Sequence, residues 1–414
     1  MNASAALQVL HFIAADASDD ARAALGALCR EPLAPASRDR GEARDRAGVT
    51  TDSADRSPGE ARQGCIHHIP FCLGVGPTGR VLPPARATSP DAGGWWLRAV
   101  RVARAAVHRS SPAIVHAWSR AAGEACAAAL APRRLLGPTL RGVALVIDAE
   151  LSAAERRRVR GGGLIHRGVD AVIVCRTDAA MRRLRRLGVP ADRLFVVRSA
   201  LDDRETTPSA DVRAAARAGL QLDPEDVAVL ALPPLGRGAG FLAAWAVLLL
   251  ERVLPGVRVI VPGGGESARR FEAVVRDCQR EGILRVASPT CSLGSLVAAA
   301  DVAISAGCDA GSLDALLLAA AAHVPIVAAD TAAVREVLSQ AGVARFFEPG
   351  VPKDAARQLL RTIEAPDANA TQLRAAAELA AGATRGVQRA AYERLYVEIA
   401  ARVRAAHAPV GACC

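Results

Sequence analysis

The chain has 414 residues, 51% of them hydrophobic, so it can bury a sizeable core, and its length favours two domains. Its formal net charge of +10 comes almost entirely from arginine, and Lys353 is its one lysine. That lysine stands in a sequence typical of an exposed helix start, which excludes Schiff-base chemistry and a phosphate loop of the G-x-x-x-x-G-K-[ST] type. Aromatic residues make up only 3%, so platforms for stacked bases are few and a nucleic-acid partner is not expected.

The first half of the chain alternates short β-branched runs with longer alanine-rich segments. The six runs are "ALQVLHFI", "CIHHIPF", "AIVHAW", "GVALVI", "DAVIVC" and "RLFVVR". This alternation is typical of an α/β protein in which a parallel sheet is covered by helices on both faces. After the first run, residues 37–64 are charged, poor in aliphatic side chains and without periodicity, which predicts a mobile insertion.

The second half repeats the pattern after a polar connection that contains two prolines. Its six runs are "DVAVLAL", "VRVIVP", "ILRVA", "DVAIS", "PIVAA" and "ARFFE". We therefore predict two doubly wound, Rossmann-like domains, 1–202 and 203–385, followed by a helix over 386–405 near their join. In that helix Tyr392 and Tyr396 are four residues apart and can touch. The helix packs either on its own domain or back on the first, and its periodicity does not choose.

The cysteines and the first residues indicate a compartment. Ten cysteines stand at irregular spacings, several inside apolar runs, as reduced buried thiols do, so we expect a cytoplasmic protein. The start, "MNASAALQVLHFIAADASDD", has no cationic region and reads as a first strand rather than a signal peptide. No stretch reaches the ~18 uninterrupted apolar residues of a membrane span.

Two local motifs contain residue types that can bind a ligand or a metal. "GVGPTG" fits G-x-G-x-x-G, but no helix pattern follows it, so it is interpreted as a loop. Cys65, His67, His68 and Cys72 are a zinc-competent set, yet strand alternation puts the first two and the last two on opposite faces. We therefore expect no metal and no cofactor.

Two runs are densely basic, "ERRRVR" at 155–160 and "RRLRR" at 182–186. A solvated helix face is the ordinary interpretation of such a run. If both lay on one side of the first domain, they would suit a peripheral contact with anionic lipid heads.

The second half contains three ordered segments before the tyrosine-bearing helix. They are "VRVIVPGGGESARRFEAVVRDC", "ILRVASPTCSLGSLVAAADVAIS" and "GSLDALLLAAAAHVPIVAADTAAVREVL". Together with "IVHAWSRAAGEACAAALA" in the first half, they resemble the retaining glycosyltransferases of family 4. The resemblance implies a GT-B fold, with two Rossmann-like domains facing a cleft. It also implies sugar transfer from a nucleotide-sugar donor to an acceptor such as a glycan or a lipid.

The charged groups that the resemblance implies are replaced in this chain. The carboxylates of the family's E-x7-E pattern correspond to Ala310 and Leu318, and its R-x4-K pair to Pro234 and Ala239. The family's first-domain histidine corresponds to Ile147. The catalytic residues are therefore unknown.

Backbone positions of the same site are kept. Gly263 and Gly265 match the family's G-D-G-P turn, and Gly311 matches the glycine after the first glutamate, at a predicted helix N-terminus. Arg237 is a cation in the loop where the family's pair is lost. The resemblance thus implies a donor-binding set of Gly263, Gly265, Gly311 and Arg237. Asp314, expected in the first turn of the helix that follows Gly311, would repel a phosphate.

Four other polar residues match positions of the family: His116, Asp202, Asp330 and Glu336. Three of them have an ordinary structural alternative. His116 suits a satisfied core histidine, Asp202 an exposed hinge, and Asp330 a helix cap.

Two hypotheses follow. The first is a glycosyltransferase-like protein that transfers a sugar from a nucleotide donor to an unknown acceptor. The second is a catalytically inactive pseudo-glycosyltransferase that acts as a binding or scaffold protein.

Overall fold

The computed structural model of the chain describes residues 7–14, 66–73, 92–118, 120–130, 143–148, 170–201, 208–233, 235, 237–263, 265–288, 290–307, 310–338 and 342–406. By its contacts the chain divides into two compact units. The first is drawn from Met1–Cys175, Leu184–Phe195 and Arg389–Cys414, and the second from Arg176–Arg183 and Val196–Gln388. The predicted insertion, the predicted boundary residue Asp202, "GVGPTG" and "ERRRVR" lie outside the described residues.

A six-stranded sheet in the order β2-β1-β3-β4-β5-β6 forms the centre of the first unit. Its strands are β1 (Leu7–Ala14), β2 (Ile66–Leu73), β3 (Ile114–Ala117), β4 (Ala144–Asp148), β5 (Asp170–Cys175) and β6 (Leu194–Val196). The pairings described from β2 to β5 are parallel. The strand order reverses direction between β1 and β3, which is the switch point of this sheet.

Alternation along the strands separates the two faces of the first sheet. Leu10, Phe12, Leu145 and Ile147 point to one face, where they form a core with α1 (Ala92–Ser110) and α2 (Arg120–Leu130). The intervening residues point to the opposite face, which carries the polar cluster described below. The two helices are joined to the sheet mainly by alanine and valine, which allow close packing.

The second unit has a sheet in the order β12-β11-β10-β7-β8-β9, again with parallel pairings. Its strands are β7 (Val227–Ala231), β8 (Val257–Val261), β9 (Leu284–Val286), β10 (Val302–Ser305), β11 (Ile326–Ala329) and β12 (Arg345–Phe347). Counted from β7, this is the 3-2-1-4-5-6 order of dinucleotide-binding sheets, with its switch point between β7 and β10.

Besides α1 and α2, the structure describes ten further α-helices. They are α3 (Asp178–Arg186), α4 (Ala210–Gly219), α5 (Arg237–Glu251), α6 (Gly265–Asp277), α7 (Leu293–Ala299), α8 (Ala310–Ala321), α9 (Ala332–Val337), α10 (Pro352–Glu364), α11 (Pro366–Gly382) and α12 (Arg385–Ala406). Residues of α5, α6 and α10 build the core on one face of the second sheet. Residues of α7, α8, α9 and α11, with those that flank α4, build the core on the other face.

Local chemistry sets several of these helix starts. The hydroxyl oxygens of Ser209, Ser292 and Thr331 each accept a hydrogen bond from the amide three residues further on, which caps α4, α7 and α9. Pro352 and Pro366 open α10 and α11, where the missing amide hydrogen costs nothing.

All twelve predicted strands are present, so the predicted α/β architecture of two Rossmann-like domains is confirmed. Residues of α12 from Arg389 onward belong to the first unit, although the helix follows the second unit in the chain. Among the described helices, none has the length and apolar character that a membrane crossing requires.

Candidate functional site

Three helices begin at the carboxyl edge of the second sheet, directly after the adjacent strands β10, β7 and β8. All four predicted donor-binding residues lie there. Arg237 is the first residue of α5, Gly263 lies in the turn after β8, Gly265 is the first residue of α6, and Gly311 is the second residue of α8. The unpaired amides of a helix N-terminus favour an anion, so the amides at this edge could receive a phosphate.

The N-termini of α5 and α8 follow the two strands that flank the switch point, β7 and β10. Ligands of open doubly wound sheets bind in the crevice at such a point. Ser305 ends β10 at this edge and is fully buried, and its hydroxyl has no hydrogen-bond partner among the residues that the structure describes. Sequence analysis missed Ser305, because a serine at a strand end carries no distinctive signal.

The positions of the missing charges are now visible. Ala310 opens α8 and Ala239 lies in the first turn of α5, whereas Leu318 is buried within the hydrophobic core on the α8 face. Pro234 lies outside the described residues. Leu318 therefore packs in the core of this unit, where a charged side chain would be costly.

Asp314 differs from its predicted place. Since α8 begins at Ala310, Asp314 is the fifth residue of the helix and lies beyond the first turn. The interaction of a charge with the helix dipole falls off within that turn, so its expected repulsion of a phosphate is weaker.

Glu336 binds the N-terminus of α3 within the second unit. Its carboxylate accepts hydrogen bonds from the backbone amides of Asp178 and Ala179, at 2.6 and 2.9 Å, and from the Arg198 guanidinium at 2.9 Å. Burial raises the pKa of Glu336, but these three donors lower it by more than burial raises it. The net pKa therefore lies below its usual range. The Glu336 carboxylate thus occupies the anion-binding position at the N-terminus of α3.

Asp330 does not cap α9, because the neighbouring Thr331 does. Instead its carboxylate accepts two hydrogen bonds from the Arg335 guanidinium. This bonding to Arg335 lowers the pKa of Asp330. The pair is exposed, and exposed ion pairs contribute little to stability.

A cluster of imidazole and aromatic rings lies on the face of the first sheet opposite its α1–α2 core. His11 and His116 stand opposite each other in the β1–β3 register, with ring centroids 5.5 Å apart. The Trp118 ring stacks on the His116 ring, with centroids 4.1 Å apart. The hydroxyl oxygen of Tyr396, on α12, lies 2.6 Å from His116 Nδ1. We call these residues, with His68, Tyr392 and Asp148, the ring cluster.

Hydrogen bonds assign the proton positions in this cluster. Trp118 Nε1 donates to His11 Nδ1 at 3.1 Å, so a neutral His11 carries its proton on Nε2, which lies 2.9 Å from His68 Nδ1. His11 is fully buried, and burial, followed by the nearby His116 and His68, holds the pKa of His11 well below its usual value. The imidazole of His11 is thus neutral near pH 7.

The two tyrosines of α12 are fully buried against this cluster. Tyr392 donates a hydrogen bond to the Asp148 carboxylate, and the two tyrosine rings lie 6.1 Å apart. His116 is therefore a buried, hydrogen-bonded residue. Among the described residues, no group of three or more histidine, cysteine or acidic side chains is arranged to hold a metal ion.

Neither the known protein families nor the curated proteins provide a match to this chain. Solved structures do. A glycosyltransferase from Rickettsia africae has a TM-score of 0.63 at 10% identity, over 95% of this chain and 99% of its own. Anabaena HepE in complex with UDP and glucose has a TM-score of 0.65 at 15% identity, over 94% of this chain and 99% of its own. Sucrose-phosphate synthase from Thermosynechococcus elongatus has a TM-score of 0.66 at 14% identity, over 95% of this chain and 100% of its own.

These proteins are GT-B glycosyltransferases, and the chain shares their α/β fold of two Rossmann-like domains. At identities of 15% or less the likeness is one of fold, and the chemistry has to be argued from the residues of this chain.

Proposed function

We propose that the chain binds a nucleotide sugar at the carboxyl edge of its second sheet, at the switch point between β7 and β10. The observation that carries this proposal is the start of three helices at one sheet edge, with Arg237, Gly265 and Gly311 in their first turns. The similar HepE structures contain UDP or UDP-glucose, and a pneumococcal O-GlcNAc transferase of TM-score 0.52 contains UDP and GlcNAc.

Binding would rest on backbone rather than on acids. The amides at the start of α6 and α8 would donate hydrogen bonds to the diphosphate oxygens, and Gly263 and Gly265 would let the nucleotide approach the turn after β8 closely. The buried Ser305 hydroxyl is a further donor at this edge. A family-4 origin of the chain accounts for the order of these elements.

Transfer of the sugar is the harder step. A departing diphosphate needs fixed positive charge in a dry site, and the loss of one such group commonly costs about a hundredfold or more in rate. With Ala239 and Ala310 at the family's charged positions, Arg237 is the one cation that the sequence offers in the loop after β7. We therefore propose slow transfer to an unidentified glycan or lipid acceptor.

A second candidate is a non-catalytic binding or scaffold protein. The burial of Leu318 in the core of the second unit favours it, because the position that would hold a carboxylate has become part of the packing. Reduced thiols support a cytoplasmic location for either candidate, since Cys126 and Cys175 are buried and burial raises the pKa of the Cys126 thiol.

The test is a calorimetric titration with UDP, UDP-glucose and UDP-N-acetylglucosamine, together with assays of donor hydrolysis. We expect saturable binding that weakens about tenfold or more in Arg237→Ala, because a charge-assisted contact to phosphate is lost. Arg374→Ala, which removes an exposed arginine of α11, is the matched control and keeps wild-type affinity. Absence of saturable binding to any nucleotide sugar would overturn the first proposal and leave the scaffold.

A further inference from the structure

Helix α5 exposes a stripe of large apolar side chains. Phe241, Trp245 and Leu249 recur every four residues and are 53%, 37% and 40% exposed, and Val253, just after the helix, is 64% exposed. The other side of the helix packs in the core, so these residues form one face. The Phe241 and Trp245 rings meet edge to face, with centroids 6.0 Å apart. A run of this kind on a protein surface marks an interaction site.

Cations lie beside the apolar stripe on both neighbouring helices. Helix α10 packs against α5 and exposes Lys353, Arg357 and Arg361, again every four residues. On the other side, α6 packs against α5 and exposes Arg269 and Arg276.

Among the side chains that the structure describes on these two helices, exposed acids are fewer than exposed cations. They are Asp277 and Glu364, the last residues of α6 and α10. Arg357 also contacts Asp354 at 3.4 Å, but an exposed pair of this kind is weak. Among the described side chains, the surface is therefore an apolar stripe between two borders in which exposed cations outnumber exposed acids.

We propose that this face of the second unit docks on an anionic membrane surface. Phe241 and Trp245 would enter the boundary between headgroups and acyl chains, where amphipathic aromatic rings partition favourably, and the cations of α10 and α6 would contact the lipid phosphates. Docking of this type is interfacial. It needs no membrane-spanning helix, and none is found among the described residues.

Charge decides between lipid and a second copy of the chain. Two copies that met through the stripe would bring like-charged borders together, which opposes association. An anionic surface is complementary to both borders at once. The proposal does not depend on nucleotide binding, since it concerns a helix face and is tested without a nucleotide.

The test measures cosedimentation of the whole chain with vesicles of phosphatidylserine and phosphatidylcholine, and with phosphatidylcholine alone. We expect binding to the anionic vesicles that weakens as salt is added. The Phe241→Ser/Trp245→Ser variant should bind about tenfold more weakly or worse, because it loses the inserted apolar surface. Val212→Ser removes an exposed valine of α4, on the other face of the sheet, and should leave binding unchanged.

A second variant tests the charged border. Lys353→Gln/Arg361→Gln should bind about twenty-fivefold more weakly, since each cation near an anionic surface contributes about fivefold. Arg374→Gln, on α11 at the other face, is the matched control and should bind like the wild type. Circular dichroism of each variant would check that it is folded.

The single lysine allows a direct footprint. An amine-specific acylating reagent modifies one side chain in this protein, Lys353, so mass spectrometry of its peptide reports on the α10 border. Acylation should slow several-fold when anionic vesicles are bound.

Three results would each overturn the proposal. They are no binding to anionic vesicles, full binding by the Phe241→Ser/Trp245→Ser variant, and unchanged acylation of vesicle-bound protein. A dimer in the absence of lipid that this variant abolishes would also overturn it, in favour of a second copy.

Discussion

The two sheets use their switch points differently. In the first sheet, His11 and His116 stand on the two strands that flank the reversal, and α12 covers them with Tyr392 and Tyr396. In the second sheet, the strands that flank the reversal lead to helix starts with small residues such as Gly311. Hydrogen-bonded rings of the protein itself lie beside the first switch point, and helix N-termini follow the strands that flank the second.

The two doubly wound sheets thus differ both in strand order and in what lies beside their switch points. Rings that are buried and bonded to each other cannot receive a ligand without losing those bonds. The unpaired amides of helix N-termini can receive one, which is why the donor site is proposed at the second sheet.

The strongest way to break the comparison is to restore a carboxylate in the second unit. Leu318→Glu should lower the free energy of unfolding of this unit by about 3–5 kcal/mol at pH 7, because the position is in the core and a charge there has no built partner. Leu318→Met, a volume-conserving control, should cost less than about 1.5 kcal/mol. Denaturant unfolding measures both.

The pH dependence of that variant gives a second check. Burial raises the pKa of an introduced glutamate, so the folded state binds its proton more tightly and the penalty shrinks as pH falls. A Leu318→Glu protein as stable as the Met control would contradict the core assignment and revive a charged site at this position.

The next largest effect concerns the first unit. Tyr396→Phe removes the hydroxyl that lies 2.6 Å from His116 Nδ1 in a fully buried place, so unfolding should become easier by about 1–3 kcal/mol. Val397→Ala, at a neighbouring exposed position, should change stability by less than about 0.5 kcal/mol. Hydrogen exchange of α12 amides reports the change, and equal protection in both variants would show that the ring cluster does not anchor the helix.

The central strands could be predicted from the sequence because β3, β4, β10 and β11 are short apolar runs that are buried along their whole length. The ring cluster could not. Tyr396 and His116 are 280 residues apart, and no local pattern pairs them. The place of Leu318 in the core was equally hidden, because α8 is apolar on nearly every side and its periodicity selects no face.

Capping shows the same limit at short range. Asp330 and Thr331 are both good caps and stand next to each other, so the sequence allowed either. The structure uses Thr331, and Asp330 bonds to Arg335. Which oxygen reaches the free amide depends on backbone angles that composition does not specify.

A smaller effect belongs to Glu336 in the second unit. Glu336→Gln weakens the acceptor for two amides and Arg198, and should lower stability by about 1–2 kcal/mol near pH 7. Since the folded pKa of Glu336 lies below its usual value, this contribution is present above that value and is lost as pH falls through the folded pKa. Glu378→Gln, an exposed glutamate of α11, is the matched control. A constant difference between wild type and Glu336→Gln down to strongly acidic pH would refute the linkage.

The smallest predicted effect is the pH dependence of stability that His11 contributes in the first unit. Burial holds the pKa of His11 well below its usual value, so the unfolded chain binds a proton that the folded chain does not, and stability falls as pH drops through the unfolded value. For one such histidine the loss between pH 7 and pH 6 is about 0.7 kcal/mol. His11→Gln should remove that part of the slope, and His108→Gln, at an exposed position of α1, should leave it in place. Denaturant unfolding curves of the wild type and both variants at pH 7 and pH 6 measure this loss of stability. A slope that His11→Gln leaves unchanged would mean that His11 is protonated in the folded cluster, contrary to the hydrogen bond that it accepts from Trp118.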